Sequence, residues 1–491
     1  MLPPDRNRYF IYIITACYFI VGLIGISNHE VWLDEAHHFL IAKESTSLSD
    51  LFERIKYEGH PQLWSILLFF ITRFTDSVFY MQLLNVFIMT SVCFLFLKNS
   101  RFPIFLNVMI LCGYFFIYEY LVISRSYSLL MLALTLSFIH LTGNPKAWKL
   151  YAALLFLSLT HIFGLIICTV ICVLFFLNQF EKPGSKKYFF GLLIIINGIV
   201  VWSIKIPADH FLYHYDTDSI ISYRRLSKTA SMFAKGFLPL PDITDRLKWN
   251  SNFFTNTLKL PGIIAGLFAF LIPLYFFRKE RKLLLFYFIS TSLNLWFMHI
   301  SPVIVGARYS GILFILFIYT SSFLLTKNSC RGASWYLIII CTVHTISGFI
   351  MYTADIRNNF SNSKRVASYI EEKHLQNKTI IVSNFSAAPG ISCYLHKKVY
   401  YAEQHGPGSY CKWNTWPFLL NNDQLRDEIE KQLAPNDTLV LVLNQYYFHT
   451  DLHDTLVFKD PRIQFQKITS FNEAMVNNEN YFLFYVFSIK L

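Results

Sequence analysis

Charge is the scarcest property of this chain. Only 15% of its 491 residues are Asp, Glu, Lys or Arg, against about 25% in soluble domains, which excludes a soluble globular protein. No glycine-rich loop opens a helical pattern, so nothing supports nucleotide binding through a phosphate cradle. No internal repeat and no low-complexity tract is present, which weighs against a carrier built from related halves. No small-residue cleavage site follows the first apolar segment before Trp32, so that segment reads as a retained span, not a removed signal peptide. Cys17, Cys93, Cys112, Cys168, Cys172 and Cys341 lie in apolar runs, where a thiol behaves as a small hydrophobe. Cys393 and Cys411 fall in a polar region assigned outside the cytoplasm; a disulfide between them is allowed there, and spacing alone does not establish it. Metal-ligand patterns are also missing. His37 and His38 are adjacent, and Asp209, His210 and His214 have ligand-like spacing without a second cluster.

What the chain has in abundance is apolar surface: 54% of residues are hydrophobic, with 49 Phe and 29 Tyr. It is expected to be an α-helical polytopic membrane protein. The net charge of +12 does not point to nucleic acid, because the basic residues sit in short clusters between apolar runs, where they set orientation. Assigning the clusters at 6–8, 98–101, 146–149, 182–187, 278–282 and 327–331 to the cytoplasm gives crossings at 10–27, 78–97, 102–118, 127–142, 150–161, 163–180, 188–205, 260–277, 283–300, 310–326 and 334–353. These are about eleven spans, with the N-terminus inside and the C-terminal region outside.

One run, 61–74, is too short to cross and reads as an interfacial helix opened by Pro61. The segment before it, 40–57, is amphipathic, with Leu48, Leu51, Phe52 and Ile55 at helical spacing among charges. The first outer loop, 28–77, is therefore expected to be two interfacial helices. The long outer segment 206–259 carries Asp209, His210, His214, Asp216, Asp218, Arg224 and Arg225, and polar loops of that length often act as lids or binding loops. Beyond 353 the apolar runs shorten. Helices are expected at 363–374, 387–395 and 423–433, and strands at 379–383, 398–401, 438–443, 464–468 and 481–488. The alternation gives an extracytoplasmic α/β domain over 354–491, after a transmembrane domain over 1–353.

The chemistry-bearing residues concentrate in the outer connections. Asp34 and Glu35 follow the first span within Val31-Trp32-Leu33-Asp34-Glu35-Ala36-His37-His38. They read either as a solvated loop start or as a carboxylate whose partial desolvation suits it to general-base work. Arg308-Tyr309 is either a snorkelling Arg beside an interfacial Tyr or a guanidinium placed to grip phosphate. Glu119, Arg125 and Tyr127 lie in a short outer connection, where ionisable groups face a cavity or each other. His161 is a lone polar residue between two spans, and a packed, hydrogen-bonded histidine is the plainer reading.

Taken together, Trp32-Leu33-Asp34-Glu35, Gly59-His60-Pro61-Gln62-Leu63, Ser124-Arg125-Ser126-Tyr127, Thr160-His161 and Ala307-Arg308-Tyr309 resemble the GT-C class of membrane glycosyltransferases. The branch is that of the protein O-mannosyltransferases and the bacterial lipid A aminoarabinose transferase, and the resemblance covers roughly the first 330 residues. It implies a GT-C fold in a bacterial inner membrane. It also implies an inverting transferase that takes a sugar from a polyprenyl-phosphate carrier lipid to a hydroxyl of a protein, lipid or glycan acceptor at the outer face of the cell envelope. On this resemblance Asp34 is the catalytic base with Glu35 beside it, Arg308 contacts the carrier phosphate, and His60, Glu119, Arg125, Tyr127, His161 and Tyr309 bind substrate. No cofactor is specified, and a divalent cation is left open. Many relatives carry Gln-Glu-Ala-Arg-x-Tyr in the second outer loop. Here Ile123 holds the Glu position and Glu119 lies one helical turn earlier, so the carboxylate of that loop is unassigned. A transporter or flippase of lipid-linked glycans is the alternative.

Overall fold

The computed structural model of the chain describes residues 4–142, 146–177, 187–211, 219–244, 247–301, 306–324, 331–384, 387–415, 419–434, 437–444 and 463–488. His214, Asp216 and Asp218 of the long outer segment lie outside the described residues. Apolar helices dominate the first 357 positions. Among the described residues, five of them are long and apolar enough to cross a bilayer: Tyr9–Asn28, Phe79–Asn99, Leu260–Phe277, Arg281–Ile300 and Ser334–Arg357. The chain is an integral membrane protein. Shorter apolar helices occupy Tyr127–Thr142, Ala147–Thr160, Ile162–Phe176 and Lys187–Ser203.

The chain opens with α1 (Pro4–Asn28), α2 (Leu33–Glu44), α3 (Leu48–Ile55), α4 (Leu63–Ile71) and α5 (Phe79–Asn99). The segment 40–57, read from sequence as one amphipathic piece, is divided. Its first residues belong to α2, which is buried at nine positions, and the chain restarts at Ser47, whose hydroxyl caps α3 through the Asp50 amide at 3.1 Å. Only α3 has the expected two-faced character, with Leu51 and Ile55 buried and Leu48 and Phe52 exposed. At nine residues α4 is about 14 Å long, too short to cross, as the sequence indicated.

The expected crossing 102–118 is not one helix. It runs as α6 (Ile104–Leu111), then breaks and re-forms as a single π turn at Phe115–Glu119; such turns recur at functional sites. The irregular stretch 120–126 follows, wholly buried. Its carbonyls need partners, and Asn85 of α5 supplies two, donating to Tyr120 O and Leu121 O at 2.9 Å each. Next come α7 (Tyr127–Thr142), α8 (Ala147–Thr160), α9 (Ile162–Phe176) and α10 (Lys187–Ser203).

The long segment 206–259 is also not an open loop throughout. It contains α11 (Tyr223–Phe237) and the short α12 (Phe253–Asn256), ahead of α13 (Leu260–Phe277), α14 (Arg281–Ile300), α15 (Ala307–Tyr319) and α16 (Arg331–Arg357). Helix α11 packs between α13 and α15. Its cations satisfy the end of α14: Arg225 donates to Ile300 O at 2.7 Å and Lys228 donates to Ser301 O.

The C-terminal region forms the expected α/β unit from α17 (Ser363–Glu372), β1 (Ile380–Ser383), α18 (Ala388–Leu395), β2 (Val399–Tyr401), β3 (Gly406–Gly408), α19 (Asn422–Gln432), β4 (Thr438–Asn444), β5 (Ile463–Phe471) and β6 (Tyr481–Ser488). The strand order is β3-β2-β1-β4-β6-β5, with β1 parallel to β2 and β4 and the other pairs antiparallel. Central β1 and β4 are buried on both faces, as parallel pairing requires. This unit sits directly on the helical part, with α18 packed against α2. The disulfide considered between Cys393 and Cys411 is not formed, and both side chains are buried.

Candidate functional site

Asp34 is the second residue of α2. Two guanidiniums hold its carboxylate: Arg125 at 2.8 Å, from the irregular stretch after the π turn, and Arg308 at 2.9 Å, from the first turn of α15. The Asp34 side chain is 22% exposed, while those of Arg125 and Arg308 are 9% and 11% exposed. The carboxylate therefore faces an opening and the cations line its back. Removal from water would raise the Asp34 pKa, but the fields of Arg125 and Arg308 outweigh that and hold it below the usual carboxylate range.

Arg308 is fixed by rings. Its guanidinium lies 5.1 Å from the centroid of Trp32, 5.3 Å from Trp249 and 4.8 Å from Tyr309, and it donates to the Tyr309 hydroxyl at 2.9 Å. The start of its helix is held by Asn250, whose side chain accepts from the Ala307 amide at 3.0 Å. Glu119 reaches this group indirectly: it accepts from Trp249 Nε1 at 3.1 Å and from the Tyr114 hydroxyl at 2.8 Å. Among the described residues, Arg308 Nε and Nη1 and Trp32 Nε1 are buried without a hydrogen-bond partner. These are donors held ready for an anion.

Glu35, the residue beside Asp34, is fully engaged in hydrogen bonds. One oxygen accepts from the Ser124 amide at 2.6 Å, and the other pairs with His29 Nε2 at 3.0 Å. His29 Nδ1 in turn meets Asp355 at 2.8 Å. Glu35 is thus the link by which α2, the Arg125 stretch and the end of α16 are held together.

The remaining predicted residues form a ring ladder beside the ion cluster. His60 stacks on His161 at 5.1 Å, His161 on Tyr127 at 4.7 Å, and Tyr127 on Tyr120 at 5.1 Å. Gly59, at φ 64°, makes the left-handed turn that presents His60. His161 Nδ1 accepts from the Phe163 amide at 3.2 Å and so caps α9, in line with the plainer reading of that residue. Burial, followed by the field of Arg125, pushes the His60 pKa down to about 4 and that of His38 to about 3, so both rings are neutral at ordinary pH.

Six supporting residues were not singled out from the sequence: His29, Glu58, Trp249, Asp355, Trp413 and Glu479. Glu58 accepts from His37 Nε2 at 2.8 Å and from Trp413 Nε1 at 2.7 Å. Burial would raise its pKa, but those partners bring it well below the ordinary range. Its position next to Gly59-His60-Pro61 was a usable signal, as was Asp355, a carboxylate at the end of an apolar helix. Trp249, Trp413 and Glu479 carry no local signal. A cavity of about 350 Å³, lined by Glu44, Arg54, Lys398 and Tyr410 among others, lies at the far end of α2, about 15 Å along the helix from Asp34, and is separate from this cluster.

Among the described residues, no group of three or more His, Cys, Asp and Glu side chains is arranged to hold a metal ion. At Asp34 the counter-charge comes from two guanidiniums that meet the same oxygen, Oδ2. No protein-family model matches the chain, and no curated protein matches it. Among solved structures it is similar to ArnT from Cupriavidus metallidurans bound to undecaprenyl phosphate. The likeness covers 97% of this chain and 98% of that one, at a TM-score of 0.49 and 10% identity.

Proposed function

We propose that the chain is an inverting membrane glycosyltransferase that moves a sugar from a polyprenyl-phosphate carrier to an acceptor hydroxyl at the outer face of the membrane. The observation that carries this reading is a partly open carboxylate, Asp34, seated between two buried guanidiniums, of which Arg308 keeps two further donors unused. The family resemblance in the first 330 residues supports the same reading. On it, the shorter apolar helices, α15 and the broken segment of α6 with its π turn complete about eleven crossings, and the α/β domain stands outside the cytoplasm.

At rest Asp34 is fully ionised but a poor base, because Arg125 and Arg308 neutralise it. A donor phosphate competes for those same guanidiniums and for Trp32 Nε1. As the arginines turn to phosphate oxygens, Asp34 loses its counter-charges and its proton affinity rises. It then takes the proton of the acceptor hydroxyl, whose oxygen attacks the anomeric carbon from the face opposite the phosphate. The bond from that carbon to the phosphate oxygen breaks, the electron pair leaves with the polyprenyl phosphate, and configuration inverts. The electrostatic hold on the leaving phosphate is the larger part of the catalysis in a water-poor site.

The test uses purified protein in liposomes with a radiolabelled polyprenyl-phosphate sugar and an extract containing acceptors. The reading expects label in an acceptor. Label moved across the bilayer without transfer would replace it with the flippase alternative.

A further inference from the structure

The first turn of a helix leaves amides without partners, and a Ser, Thr, Asp or Asn usually precedes it. Helix α2, which carries Asp34, is preceded by Trp32, whose side chain makes no cap. The Leu33 amide instead donates to Glu479 Oε1 at 2.6 Å, across 446 positions of sequence. Glu479 is fully buried and sits in the 472–480 connection between β5 and β6.

That connection is held tightly. The Met475 amide donates to Asn359 O at 2.9 Å, the Val476 amide to Phe360 O at 3.1 Å, and the Trp249 amide to Met475 O at 3.0 Å. The same loop therefore touches the start of the Asp34 helix and the segment that places Trp249 over Arg308.

We propose that Glu479 is a positioning residue for Asp34: the α/β domain uses its carboxyl to fix the first turn of α2, and with it the distance from Asp34 to the two guanidiniums. This deepens the transferase reading and rests on it. The titratable groups facing Glu479 are Asp34 and Glu35 from α2 and Tyr481 from the start of β6. The 358–362 segment adds the Ser361 hydroxyl, and the loop at Trp249 carries the cation Lys248. Burial first, then the fields of Asp34 and Glu35, push the Glu479 pKa up to about 8. Below that pH the neutral acid holds the amide without adding a third negative charge to the cluster; above it, the ionised form opposes both carboxylates.

The experiment compares the wild-type protein, Glu479→Gln and Glu479→Ala in the liposome assay across pH 6 to about 9.5, with hydrogen exchange of the 29–36 peptide. Glutamine keeps a carbonyl for the Leu33 amide and cannot ionise. The wild type is expected to lose turnover as pH rises through about 8, and Glu479→Gln to hold it there. Glu479→Ala is expected to lose about ten- to hundredfold in kcat at neutral pH, with donor KM little changed and faster exchange confined to the first turn of α2. Unchanged exchange in the sheet verifies that this variant folds. An alkaline fall that persists in Glu479→Gln, or wild-type turnover and exchange in Glu479→Ala, overturns the proposal. Should the wild type transfer no sugar at all, the transferase reading fails separately, and the exchange difference still decides whether Glu479 anchors α2.

Discussion

At the scale of single residues, the centre is defined by what Arg308 can do that a lysine cannot. A guanidinium presents a planar fork and stacks on rings, whereas an ammonium is a compact point charge. Arg308 uses both properties, since three rings surround it and its Nη2 reaches both Asp34 and the Tyr309 hydroxyl. Arg308→Lys keeps the charge and loses the fork. Donor KM is expected to rise about ten- to hundredfold, the scale of one or two hydrogen bonds to a charged group, and kcat to change less. Steady-state transfer at varied donor concentration checks it, and an unchanged donor KM would mean that the guanidinium only braces Asp34. Asp34, Arg125 and Arg308 were legible in the sequence because charged residues stand out in an apolar chain. The separate surroundings of Asp34 and Glu35 were not legible: adjacent carboxylates on a helix point in different directions, and only the fold shows that one is partly exposed while the other meets Ser124 and His29.

At the scale of elements, the unexpected piece is α11. A polar outer segment suggested a lid, yet α11 is wedged between α13 and α15 at very short range. A methyl added at Gly266 of α13 would lie 2.4 Å from Ala234 N and 2.5 Å from Ala234 Cα, both backbone atoms that cannot rotate away. Gly266→Ala therefore forces the helices apart and is expected to cost about 1 to 3 kcal/mol. Thermal unfolding in detergent should show a lowered midpoint; an unchanged midpoint would mean that the α11–α13 contact is looser than described. The same displacement would move α15, which α11 also contacts, and with it Arg308. The break in the expected 102–118 crossing is a second case where apolarity gave the right depth and the wrong geometry. Hydropathy does not distinguish a continuous helix from one interrupted by a π turn, because both bury the same side chains.

At the scale of the whole molecule, a sheet-bearing region was expected after the helices, and among the described residues its strands other than the three-residue β3, and its α-helices, were anticipated within a few positions. Periodicity and strand-length apolar runs are local properties, and they survive folding. What could not be read is how the two parts meet. The bonds Glu479 to Leu33, Trp413 to Glu58 and Cys411 to His37 each join the α/β domain to the segment after the first helix across more than 350 positions. No local pattern encodes such pairings. They tie the α/β domain to the segment that carries Asp34. The claim on which the account turns is that Asp34 is a base released by the donor phosphate, and single-turnover transfer with donor binding measured on the same Asp34→Asn preparation tests it most directly. The expected result is a rate lower by about two to four orders of magnitude, with donor affinity retained or tightened because the guanidiniums are already free. Transfer at the parental rate would contradict the account.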